Sequence, residues 1–141
     1  MSELSEEAQR TILVVDDEAE VRVLVREILT LHGYNVIDTG DPIEARRIVE
    51  AQPIHLLLTD VVMPMMSGIE LAKRVEATSP TTKIVLMSGY STAAVKGSGR
   101  PLVAKPFKTN DLVNTIRQVL DSRSAFRRPA PPAPKPGFGP I

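Results

Sequence analysis

The sequence predicts a doubly wound α/β domain, with a parallel five-stranded sheet and helices on both faces. Three observations carry that expectation. Five short apolar runs alternate with stretches whose apolar residues recur at helical spacing. The connections between them are short, as in a sheet crossed repeatedly by helices. Four of the runs also end abruptly in polar residues: DDE after the first, Asp60 after the third, SGY after the fourth and KPF after the fifth.

Each element follows from local pattern. TILVV at 11–15 is apolar and β-branched, which suits a central buried strand. From Ala19 the period changes, with Val21, Leu24, Val25 and Ile28 on one helical face and Arg22, Arg26 and Glu27 on the other. His32-Gly33 ends this helix, because glycine takes the left-handed cap, and a second strand follows at 34–37. Asp41-Pro42 reads as an N-cap with proline at the first helical position, opening a helix through Ala45, Ile48 and Val49 to Ala51. Leu56, Leu57 and Leu58 then run straight into Asp60, as in a strand buried on both faces. After the turn at Met63-Pro64, Ser67 caps a helix carrying Ile69, Leu71, Ala72 and Val75. KIVLM at 83–87 is the fourth strand and 102–104 a brief fifth. Between them, 91–100 is weak helix material, since Gly97 and Gly99 each cost up to about 1 kcal/mol against alanine in a helix interior. The last helix starts at a Thr109 cap and carries Leu112, Val113, Ile116, Val119 and Leu120.

These patterns divide the chain into a polar lead-in at 1–10, one domain at 11–122 and a tail at 123–141 rich in proline and arginine. An extended tail from Pro129 onward reaches on the order of 40 Å. It carries PxxP spacings beside Arg127-Arg128 that suit a polyproline-binding partner, although a solvated linker is the simpler reading. Of 141 residues, 43% are hydrophobic and 24% charged, an ordinary globular balance that argues against a disordered chain. Seventeen basic and seventeen acidic residues leave no global field for nucleic acid or a membrane surface. Without cysteine, thiolate metal sites and cysteine nucleophiles are excluded. No apolar signal core or membrane-length run is present, so a cytoplasmic location is expected.

A parallel sheet puts Asp16, Asp17, Asp60, Ser88 and Lys105 on one edge, where open α/β sheets bind ligands. Three close carboxylates repel one another unless a cation joins them, and a hard divalent ion such as Mg²⁺ suits an all-oxygen donor set. Phosphoryl transfer wants this combination: an in-line nucleophile and positive charge for the equatorial oxygens. Asp60 is then the nucleophile, Lys105 and the metal neutralise charge, and Ser88 and the Gly89 N–H donate to the phosphoryl oxygens.

VVDDE, TDVVMPMMSG, MSG and KPF, in this order and each after a strand, resemble the receiver domain of bacterial two-component response regulators. The resemblance implies a flavodoxin-like sheet of order 2-1-3-4-5. It also implies phosphorylation of Asp60 by a histidine kinase or histidine phosphotransfer protein. Asp16, Asp17, Asp60 and the Val62 carbonyl would hold Mg²⁺ or Mn²⁺, and Ser88, Gly89 and Lys105 would meet the phosphoryl group. Lys105-Pro106 would be a cis peptide. Such a module is a phosphoacceptor, not an enzyme acting on other substrates, with a downstream protein partner and weak self-association at most.

Two departures stand out. Leu102 occupies the place where the family usually carries an aromatic switch residue, which leaves Tyr90 as the other switch candidate. The segment between Ser88 and Lys105 is about a helical turn short, so the fourth helix is expected to be stunted or disordered. Nothing after Ser122 has the pattern of an output domain, so a single-domain regulator, a phosphate sink or a piece of a hybrid kinase is expected. The alternatives are an interaction module that works without phosphorylation and, last, a haloacid-dehalogenase-type phosphatase. The latter would need DxD after the first strand, where this chain has Asp16-Asp17-Glu18. His32 and His55 are expected to be structural, and Met63, Met65 and Met66 to be packing and loop residues.

Overall fold

The computed structural model describes residues 10–89, 95 and 97–121. Strands β1 (Thr11–Val15), β2 (Asn35–Thr39), β3 (Leu56–Asp60), β4 (Lys83–Ser88) and β5 (Leu102–Ala104) form one sheet. Its order is β2-β1-β3-β4-β5, and every pairing is parallel. Helices α1 (Ala19–Leu31), α2 (Pro42–Ala51), α3 (Gly68–Thr78) and α4 (Thr109–Asp121) complete the described elements. The doubly wound, flavodoxin-like order expected of the sequence is the one observed. The expected stunted helix at 91–99 and Tyr90 lie largely outside the described residues, as do the lead-in before Arg10 and the tail after Asp121.

Successive strand residues point to opposite faces, and the two faces sort cleanly. Ile12, Val14, Leu56, Leu58, Val85 and Met87 pack under α1 and α4, through Val25, Ile28, Leu29, Leu112 and Ile116. Leu13, Val15, Leu57, Ile84 and Leu86 pack under α2 and α3, through Ala45, Val49, Leu71, Ala72 and Val75. Burying a leucine in such a layer stabilises the fold by roughly 1.5–3 kcal/mol. β3 lies at the centre with all five residues buried, so its C-terminal acid is carried into the interior by the leucines before it.

Capping fixes where the helices begin. Asp41 Oδ1 accepts the Ile43 N–H at 2.8 Å with Pro42 in the first turn, and Ser67 Oγ accepts the Glu70 N–H at 3.1 Å. Gly33 ends α1 with a φ of 95°, the left-handed conformation that glycine adopts most readily.

Several expectations are corrected. Leu24 is 50% exposed, not part of the buried face of α1, because Val25, Ile28 and Leu29 already fill that contact. The second strand spans Asn35–Thr39, one residue later at its start than expected, and Tyr34 is a buried core residue ahead of it. Thr109 is the first helical residue of α4, not its cap, with the Lys108 carbonyl accepting the Leu112 N–H. Met63 is buried and Met66 packs against the core, whereas Met65 is exposed. His32 Nδ1 lies 2.9 Å from the Ile28 carbonyl at the end of α1, and His55 Nδ1 accepts the Thr11 N–H at 2.9 Å. Both histidines are structural.

Candidate functional site: an acid cluster at the carboxyl edge

The parallel register delivers four strand ends to one edge. β1 ends at Val15, so Asp16 and Asp17 open the loop to α1, while Asp60 closes β3 opposite Met87 of β4. Ser88 ends β4 opposite Ala104, and the Ser88 carbonyl accepts the Lys105 N–H at 2.9 Å. Lys105 therefore leaves β5 beside Ser88 and Gly89, and a Cβ placed on Gly89 would lie 3.8 Å from the Lys105 carbonyl oxygen and 4.0 Å from its Cβ. The Lys105-Pro106 peptide is cis, as the resemblance implied.

Carboxylate oxygens of Asp16, Asp17 and Asp60 lie within 4.8 Å of one another. Asp16 is fully buried and Asp60 is 7% exposed, while Asp17 faces solvent. Lys105 Nζ stands 2.9 Å from Asp16 Oδ2, 3.3 Å from Asp60 Oδ1 and 3.5 Å from Glu18 Oε1. Asp16 Oδ1 accepts the Glu18 N–H, and Asp60 Oδ1 accepts the Val61 N–H.

The electrostatics follow from burial and repulsion. Loss of water around Asp60, and then the neighbouring Asp16, push its pKa above the ordinary aspartate value, while Lys105 and the Val61 N–H pull the other way. Burial alone would lower the pKa of Lys105, but its hydrogen bond to Asp16 and the charges of Asp16 and Asp60 raise it overall, so it stays protonated. One lysine thus faces two interior acids and an exposed third. The donors gathered here are all hard oxygens, a set that fits a divalent ion of the Mg²⁺ class.

Local sequence explains how the edge is built. Thr59 Oγ1 donates to the Asp60 carbonyl at 2.9 Å, and the Gly68 N–H donates to the Val61 carbonyl at 2.8 Å. A Cβ on Gly68 would overlap the Asp60 carbonyl oxygen, so glycine is what lets α3 begin directly against the end of β3. Val62, two residues after Asp60, is exposed at the rim. Leu102 is removed from the cluster and lines an open cleft between β5 and α4 with Asp111, Asn114 and Gln118. Tyr90 lies outside the described residues.

Arg22, Asp38 and Gly68 were not singled out by sequence reasoning. Arg22 was placed on the helix face opposite the apolar residues, and from there its Nη1 donates to the Asp16 carbonyl at 2.8 Å and its Nε meets Asp38 at 3.1 Å. The signal in the sequence was an acid, Asp38, directly after Val36-Ile37 and just before Thr39-Gly40.

An open parallel sheet with an acid cluster and a lysine at the switch of its strand order defines a class of α/β domain built to bind a charged ligand at its carboxyl edge. Residues 12–117 match the model of the response regulator receiver domain, and the chain belongs to that family. It is 35% identical over 116 residues to the response regulator receiver protein CpdR of Brucella abortus, covering 79% of this chain and 97% of that protein. It is 34% identical over 131 residues to the DNA-binding transcriptional regulator NtrC of Azospirillum brasilense, covering 89% of this chain but only 26% of that longer protein. Among solved structures, the receiver domain of the hybrid histidine kinase CckA superposes with a TM-score of 0.68 at 34% identity, covering 78% of this chain and 98% of that one. The response regulator TrrA of Thermotoga maritima, solved in complex with Mg²⁺ and BeF, superposes with a TM-score of 0.72 at 28% identity, covering 79% and 99%. Within the described residues no helix is long and apolar enough to cross a membrane.

Proposed function

We propose that this chain is a cytoplasmic signalling module that accepts a phosphoryl group on Asp60 from the phosphohistidine of a histidine kinase or histidine phosphotransfer protein. The observation that carries the reading is the position of Lys105 Nζ, between Asp16 at 2.9 Å and Asp60 at 3.3 Å, beside three carboxylates gathered within 4.8 Å. Asp16, Asp17, Asp60 and the Val62 carbonyl are the residues that would hold Mg²⁺ or Mn²⁺. When bound, the ion supplies positive charge to the phosphoryl oxygens.

The chain's own residues divide the remaining work. An Asp60 carboxylate oxygen attacks phosphorus, an O–P bond forms as the N–P bond of the donor breaks, and the imidazole leaves with a proton. Lys105 turns from Asp16 toward the new phosphoryl group, and Ser88 and the Gly89 N–H donate to its oxygens. Burial and the Asp16 charge disfavour the ionised form of Asp60, and a cation beside it would favour the carboxylate that attacks. The chemistry ends at the protein's own side chain and its hydrolysis, so the module is not an enzyme for external substrates.

Incubation with Mg²⁺ and acetyl phosphate tests the reading. A mass gain of one phosphoryl group, stable in acid, labile in base and absent in Asp60→Asn, is the expected result. The absence of any adduct in the wild-type chain would favour the second reading, an interaction module that works without phosphorylation. One feature supports that alternative: Leu102, not an aromatic residue, stands three positions before Lys105, 37% exposed.

A further inference from the structure

Asp16 and Asp17 are joined by one peptide group, and that group is planar. Whatever holds the Asp16 carbonyl oxygen therefore sets the orientation of the plane from which both acids project. In this chain the holder is a side chain from the next element. Arg22, one turn into α1, donates from Nη1 to the Asp16 carbonyl at 2.8 Å. Its Nε is anchored by Asp38 Oδ2 at 3.1 Å, and the other oxygen of Asp38 takes Arg26 Nη1 at 2.9 Å. On the opposite side of the residue, the Asp16 N–H donates to the Thr39 carbonyl at 3.2 Å. The end of β2 thus grips Asp16 twice, once through its own backbone and once through Asp38 and Arg22.

The space for this grip is also built. A Cβ on Gly40 would stand 2.6 Å from Arg22 Nη1. The arginine side chain is 22% exposed and Asp38 16%, whereas Arg26 is 48% exposed and does not reach Asp16. An arginine is needed because its planar fork reaches a carboxylate and a carbonyl at once, which a lysine ammonium at one point does not.

We infer that Arg22, anchored by Asp38 and admitted by Gly40, is a positioning residue that presets the Asp16-Asp17 pair for a divalent cation. The inference rests on the proposed cation site and adds how that site is held before the ion arrives. Groups that orient metal ligands from behind typically change affinity by about 10–100-fold when removed.

The test is Mg²⁺ titration of the full chain by isothermal calorimetry, with thermal unfolding of the metal-free protein alongside. Arg22→Ala is expected to weaken Mg²⁺ binding about tenfold. Arg22→Lys is expected to fall between Arg22→Ala and wild type, and Arg26→Ala to stay within about twofold of wild type. Asp38→Ala acts through the arginine, so the double variant with Arg22→Ala binds no more weakly than Arg22→Ala alone. Without metal, amide exchange at Asp17 and Glu18 should quicken in Arg22→Ala while the interior of α1 is unchanged. Should Arg22→Ala fail to fold, the Arg22→Lys and Gly40→Ala variants carry the comparison. Affinity within twofold of wild type in the folded Arg22 variant, or an equal loss in Arg26→Ala, overturns the inference alone. A wild-type chain that takes up no Mg²⁺ overturns both it and the cation site on which it rests.

Discussion

His55, just before β3, and Asp60, at its end, lie five residues apart in sequence and in opposite electrostatic conditions. At the amino end, His55 is exposed and its Nδ1 accepts the Thr11 N–H at 2.9 Å, so a neutral ring closes the start of the sheet. At the carboxyl end, Asp60 is buried with Asp16 against it and a single lysine between them. Burial moves both groups toward their neutral forms, raising the aspartate and lowering the histidine. The amino end is closed by a neutral acceptor, whereas the carboxyl end gathers three carboxylates beside one lysine. The same strand thus starts beside a satisfied hydrogen bond and ends in a cluster of like charges.

The largest expected effect breaks the carboxyl end sterically. In Gly68→Ala the new Cβ overlaps the Asp60 carbonyl oxygen, so the start of α3 must move away from β3. A loss of about 3 kcal/mol in denaturant unfolding is expected, at the upper end for overpacking, together with weakened Mg²⁺ uptake. A loss under about 1 kcal/mol would mean that α3 re-seats without disturbing the acid.

Next in size is relief of the carboxyl end by a cation. Mg²⁺ at a hundredfold excess over its dissociation constant should stabilise the fold by about 2.7 kcal/mol. Asp17→Ala should abolish that gain while leaving the metal-free protein close to wild type, because Asp17 faces solvent. Calorimetric melting with and without the ion reads both.

A smaller effect of opposite sign isolates the charge itself. Without divalent ions Asp60→Asn should melt higher than wild type, since it removes a carboxylate that burial and Asp16 disfavour. The folded-state pKa of Asp60 lies above its unfolded value, so the folded protein binds the extra proton, and stability is gained as pH falls through that raised pKa. The difference in Tm between Asp60→Asn and wild type should therefore be widest near neutral pH and shrink as the solution is acidified toward the ordinary aspartate value. A difference that widens on acidification would reverse the assignment.

How much of this was legible in the sequence differs between scaffold and site. Runs such as TILVV and LLL read directly as buried parallel strands, because both faces are covered and no alternation is needed. Asp16, Asp17, Asp60, Ser88 and Lys105 were legible as strand-end residues, since a parallel sheet brings such ends together whatever the loops do. Leu24 was misread because helical periodicity marks an apolar stripe without saying how wide the covering contact is. The role of Arg22 was not visible for a related reason. Its spacing put it opposite the apolar stripe, but its target, the Asp16 carbonyl, is a backbone atom that no residue pattern displays. Gly68 drew no reading of its own behind the Ser67 cap, and its need appears only when the Asp60 carbonyl is seen beneath it.

The smallest expected effect lies at the amino end. His55→Ala removes an exposed hydrogen bond to the Thr11 N–H and should cost about 0.5 kcal/mol, the low end for such bonds because water replaces the lost acceptor. Its pH dependence is the informative part. Partial burial first, and the Arg10 charge second, lower the folded-state pKa of His55, and protonation of Nδ1 would also remove the acceptor that Thr11 uses. The unfolded chain then binds the proton more readily, so the stability His55 supplies is present above its ordinary value of 6.5 and is lost as pH falls through its lowered folded pKa. Wild type and His55→Ala should accordingly converge in Tm on acidification from neutral pH. Wild type and Asp60→Asn should also converge, but from the other side, because wild type starts as the less stable of that pair. If His55→Ala instead tracked wild type at a constant offset across this range, the amino end would carry no titrating group of consequence. The contrast between the ends of β3 would then rest on Asp60 alone.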